Sequence, residues 1–115
     1  MRSEFPPGLL EKLREFSRRL FEELEVSEAY LFGSFARGDW MEDSDLDVVV
    51  VSQRFRGLEL GRRYALVKKL APKGVPLEAL TYTPEEFEEA KKQSVILQDV
   101  MEYAIPLSKF VEKRD

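Results

Sequence analysis

Cysteine is absent from the 115 residues, which excludes disulfides, thiolate metal ligands and a thiol nucleophile. Histidine is absent as well, so no imidazole can serve as general base or metal ligand. Acid–base or metal chemistry in this chain therefore falls to carboxylates. No apolar run approaches the roughly 20 residues of a membrane-spanning helix. The opening MRSEFPPGLL has no basic region followed by a long apolar stretch, so no secretory leader is expected. These absences predict a cytoplasmic protein with no membrane association. An excess of positive charge is missing too. Eighteen Lys and Arg against 22 Asp and Glu leave a net charge of −4, which argues against a sequence-independent grip on nucleic acid.

What is present describes an ordered chain: 43% hydrophobic and 35% charged residues suit a globular domain. The length suits a single domain spanning 1–115. Leu9, Leu10, Leu13, Phe16, Leu20, Phe21 and Leu24 recur at helical spacing, with Pro7 placed in the first turn. Ala29 to Phe32 reads as a buried strand stopped by Gly33, and Asp45 to Ser52 as a second strand. Leu58 to Leu70 reads as a helix closed by Ala71-Pro72-Lys73-Gly74. Its Arg62, Arg63, Lys68 and Lys69 read first as a wet face. Val75 to Tyr82 is a third strand, with Pro76 near its start where proline is tolerated. Thr83-Pro84-Glu85-Glu86 starts a helix, with a threonine cap, proline at the first position and Glu86 completing a capping box. One helix is predicted from there to about Tyr103, ended by Pro106 and followed by a short polar tail. This order predicts an α/β (α+β) fold: a small mixed sheet with helices packed mainly on one face.

Phe32 to Val51, FGSFARGDWMEDSDLDVVVV, carries the chemistry. Strand side chains alternate between faces, so Asp45 and Asp47 share one face with Val49 and Val51, and Leu46, Val48 and Val50 take the other. Carboxylates about 7 Å apart along a strand repel each other unless a cation lies between them. Hard divalent ions take such oxygen ligands together with substrate phosphates. Asp43-Ser44-Asp45 also reads as a plain turn, but a turn does not explain Asp47 beside four valines, where an unpaired charge is costly. Gly33 lets a backbone approach a phosphate closely, and Ser34 offers a hydroxyl and N–H groups to an anion. A simple turn with a serine cap is the alternative. Arg37 reaches the same anion or lies in solvent. Glu78, mid-strand among apolar neighbours, is the candidate third carboxylate, if its strand lies beside that of Asp45. An edge glutamate facing water is the other reading. Glu85, Glu86, Glu88 and Glu89 fit the solvated first turns of a helix.

Gly33-Ser34, ten residues, then Asp45-Leu46-Asp47 resembles the signature of the DNA polymerase beta-like nucleotidyltransferases, and the short chain resembles their minimal branch (MNT). The resemblance implies that Gly33 and Ser34 hold the triphosphate of ATP or another nucleoside triphosphate. It implies that Asp45 and Asp47 bind two Mg2+ ions, and that the third-strand acid, Glu78, shares one of them. Members most often carry aspartate at this third position, and glutamate also occurs. An acceptor hydroxyl would attack the α-phosphate and pyrophosphate would leave. The minimal branch is often paired with a small all-helical HEPN protein in systems resembling toxin–antitoxin pairs, some thought to transfer AMP to a tyrosine of the toxin. The resemblance therefore implies a protein adenylyltransferase acting as antitoxin. An antitoxin that neutralises its partner by contact alone, and a transferase acting on RNA or a small molecule, are the alternatives. Homo-oligomerisation is left open.

Overall fold

The computed structural model describes residues 5–111. Among them a four-stranded sheet runs in the order β3-β2-β1-β4, with β1 Val26–Phe32, β2 Leu46–Ser52, β3 Leu77–Tyr82 and β4 Ile105–Pro106. β1 lies antiparallel to β2 and to β4, whereas β2 and β3 are parallel. The helices are α1 Leu9–Glu23, the short α2 Gly33–Arg37, α3 Leu60–Leu70, α4 Pro84–Gln93 and α5 Val95–Tyr103. The parallel pair needs a crossover, and α3 supplies it. The mixed sheet with its helices is the architecture that the sequence pattern predicts.

The alternation along β2 sorts the core into two layers. Leu46, Val48 and Val50 join Leu9, Leu13, Phe16 and Leu20 of α1 and Val67 and Leu70 of α3 in the larger cluster. Val49 and Val51 face Phe87 of α4 and Leu97 and Val100 of α5 in the smaller one. Most of the core thus lies under one face, while α4 and α5 cover the other. α1 buries an apolar stripe and carries Arg18–Glu15, Arg18–Glu22 and Arg19–Glu23 ion pairs on its wet side, where solvent screening leaves each a small contribution.

Several boundaries differ from the sequence reading. α1 begins at Leu9, after Gly8 at φ 83°, so Pro7 precedes the helix instead of lying in its first turn. The helix predicted from Thr83 to about Tyr103 is two helices, broken at Ser94 (φ −97°, ψ 114°), whose side chain accepts from the Leu97 N–H. A serine that caps a new helix competes with continuing the old one, and the break lets Leu97 and Val100 turn onto the sheet. The tail after Pro106 is not simply polar. Ile105 and Pro106 pair with Leu31 and Tyr30, and Leu107 is fully buried. Proline is tolerated in β4 because an edge strand needs no donor on its outer side. Arg63, read from the sequence as part of a wet face, is buried.

Candidate carboxylate site

Asp45 immediately precedes β2, and Asp47 is its second residue. A backbone hydrogen bond from Leu46 N to Pro76 O (2.7 Å) starts the pairing of β2 with β3, and the register sets Asp47 directly beside Glu78. Registered neighbours on adjacent strands project to the same face. One carboxylate oxygen each from Asp45, Asp47 and Glu78 therefore lies within 4.8 Å of the others. Asp45 and Glu78 are exposed and Asp47 is half-buried. The condition set by the sequence, that the strands of Asp45 and Glu78 be neighbours, is met.

Three negative charges so close cannot coexist without compensation. Burial, then the Glu78 charge and a hydrogen bond with Glu78, then the Asp45 charge push the Asp47 carboxyl up to about 7, against a partial opposing pull from Arg37. Asp47 Oδ1 is buried with no hydrogen-bond partner. An acceptor stripped of water and left unpaired is costly, and a cation between the carboxylates would satisfy it. Three oxygen donors and no nitrogen or sulfur match a hard divalent ion such as magnesium.

The glycine turn abuts this triad. Phe32 pairs with Asp47 across β1 and β2, which brings Gly33 against the carboxylate. Gly33 sits at φ +74°, and a Cβ built on it would overlap Asp47 Oδ2 and lie 2.8 Å from Cγ. Only glycine meets both demands. Ser34 follows in α2, where its carbonyl accepts from Gly38 N and Asp39 N and closes the turn. Arg37, at the end of α2, pairs with Asp39 (3.3 Å) and donates from Nη1 to the Tyr103 hydroxyl (3.2 Å). The same hydroxyl accepts from Gly33 N–H (3.1 Å). Gly33 thus adjoins the triad directly, and Arg37 lies at the other end of the same short helix.

Tyr103 is the residue that the sequence reading missed. It is separated from Gly33 by 70 positions, and its only signal is a phenol at the end of an apolar helix, where the ring can be buried while the hydroxyl seeks a partner. Arg63 of α3 does not join the site. Arg63 instead pairs with Glu86 (2.6 Å), donates to Leu58 O and lies over the Phe55 ring.

A mixed sheet that presents three converging carboxylates at a strand's start, hard against a glycine turn, defines a class of α/β domains with the donor set for a hard cation. Within that class the chain belongs to the nucleotidyltransferase domain family, whose model matches residues 10–105. No curated protein matches the chain by sequence. Among solved structures, one described as a candidate nucleotidyltransferase from Sulfolobus solfataricus superposes with a TM-score of 0.51 at 19% identity, over 76% of this chain and 83% of that one. BolA1 from Arabidopsis thaliana superposes with a TM-score of 0.53 at 25% identity, over 65% of this chain and 94% of its own. The likeness to the Sulfolobus protein is one of fold; the family match and the triad carry the argument about chemistry.

Proposed function

We propose that the protein is a magnesium-dependent nucleotidyltransferase, a single domain over 1–115, which moves AMP from ATP onto a hydroxyl. The acceptor proposed is a tyrosine of a small all-helical HEPN partner in the cytoplasm, so that the protein acts as antitoxin. The observation that carries the reading is the convergence of one carboxylate oxygen each from Asp45, Asp47 and Glu78 within 4.8 Å of one another, with Asp47 Oδ1 buried and unpartnered. These three would hold Mg2+, two ions by the resemblance. Bound magnesium would polarise the phosphates and offset their charge. Gly33 N–H, the Ser34 hydroxyl and the Arg37 guanidinium would receive phosphate oxygens. Asp47 or Glu78 would take the proton from the acceptor hydroxyl, as the acceptor oxygen bonds to the α-phosphorus and the bond to pyrophosphate breaks.

Incubation with labelled ATP, magnesium and the helical protein encoded beside it is expected to label that protein. Asp47→Asn should abolish the labelling. Label transfer undiminished by Asp47→Asn would overturn the reading. A second reading, neutralisation of the partner by contact without catalysis, is favoured by Val95 and Ile96, which are 77% and 74% exposed at the start of α5. Neutralisation that survives replacement of both Asp45 and Asp47 by asparagine would select it.

A further inference from the structure

We infer that the Tyr103 hydroxyl is the resident occupant of the phosphate cradle, and that an incoming triphosphate displaces it. The inference rests on the nucleotide reading above and adds a gate to it. Two donors from the same turn, Gly33 N–H and Arg37 Nη1, converge on this one neutral oxygen at 3.1 and 3.2 Å. A phosphate oxygen is the stronger acceptor for both, since charge-assisted hydrogen bonds are shorter and about twice as strong as neutral ones. The hydroxyl thus fills the anion position with a weaker stand-in.

The turn does not need Tyr103 to hold its shape. Its position follows from the β1–β2 pairing of Phe32 with Asp47 and from the close seat of Gly33 against that carboxylate. Nor does Arg37 depend on the hydroxyl. Asp39 holds the same guanidinium at 3.3 Å, so Arg37 stays in place when the hydroxyl leaves it. The Tyr103 ring, whose centroid is 5.7 Å from Arg37 Cζ, also stays against it when only the hydroxyl is displaced or removed. Tyr103 is the last residue of α5, followed by extended backbone at Ala104, so a turn of its side chain about its own torsions breaks no backbone hydrogen bond of the helix.

The gate predicts a gain of affinity on removing the hydroxyl, where a supporting role predicts a loss. Tyr103→Phe keeps the ring over Arg37 and is expected to fold as the parent does. In calorimetric titrations with magnesium present, Tyr103→Phe should bind ATP about three- to tenfold more tightly than wild type, the worth of one net hydrogen bond. Inorganic tripolyphosphate should show the same gain, and adenosine none. In the wild type, the side-chain resonance of carbon-labelled Tyr103 should shift when ATP or tripolyphosphate is added. Equal or weaker ATP binding by Tyr103→Phe, a gain shared by adenosine, or an unmoved resonance at saturating ATP would each overturn the gate. Failure of both proteins to bind ATP would overturn the nucleotide reading itself, and the gate with it.

Discussion

At Gly33 a single Cα both turns the chain at the end of β1 and forms the wall against which Asp47 rests. A methyl group there would meet the carboxylate and would also have to adopt a left-handed φ, which costs an L-residue about 1–2 kcal/mol. Gly33→Ala is therefore expected to lower transfer activity about 100-fold, the order that an ångström of misplacement costs, and to weaken magnesium binding with it. Wild-type magnesium affinity in this variant, measured by calorimetry, would show that the carboxylate makes room. The sequence marked Gly33 as the end of a strand and a place for close approach. It could not show that the group approached is Asp47, since that follows from the β1–β2 register.

Among the elements, α3 and α4 are tied by Arg63 and Glu86. Arg63 has a side chain only 8% exposed, and Glu86 both pairs with it and closes the capping box with Thr83. The Arg63 hydrogen bond and the Thr83 backbone N–H hold the Glu86 carboxyl down at about 2, below its usual 4.5. A carboxyl with a depressed folded value contributes stability that is whole above 4.5 and is lost as pH falls through about 2. Because Glu86 is half-exposed, solvent screening discounts the pair, and the box and the buried cation together suggest about 1–2 kcal/mol. Glu86→Gln should therefore be less stable than wild type in urea at neutral pH, and the gap should close toward about pH 2. A gap independent of pH would show that packing, and not charge, is what the substitution removes. The capping box was legible from Thr83-Pro84-Glu85-Glu86. Its second use was not, because periodicity alone leaves Arg63 on the outside of α3.

On the scale of the whole molecule, the triad trades stability for cation binding. Asp47 raised from 3.8 to about 7 means that between these values the folded chain keeps a proton that the unfolded chain has released. Stability therefore falls as pH rises through that window. Magnesium requires the carboxylate and expels the proton, so its affinity should rise as pH climbs toward about 7, by at most about tenfold per unit for one proton, and level off above it. Magnesium should raise the Tm, and more at about pH 8 than at about pH 6; a ligand at about 100 times its Kd contributes about 2.7 kcal/mol. Asp47→Asn should melt higher than the metal-free wild type at about pH 8, by on the order of 1 kcal/mol after screening, and should lose the magnesium response. A magnesium-induced rise of the same size at both pH values, or in Asp47→Asn, would count against the triad as the binding site.

The sequence by itself determined the chemistry on offer and most of the elements. Without cysteine or histidine only carboxylates remained, and the alternation DLDVVVV assigned Asp45 and Asp47 to one face, because the two-residue repeat of a strand is a local property. Tertiary structure decided what meets what. Whether Glu78 faces Asp47, whether Gly33 touches it, and whether Tyr103 reaches the turn all depend on strand order and register and on a helix break at Ser94. Those are set by how two apolar faces of one sheet are covered at once, which no local spacing records.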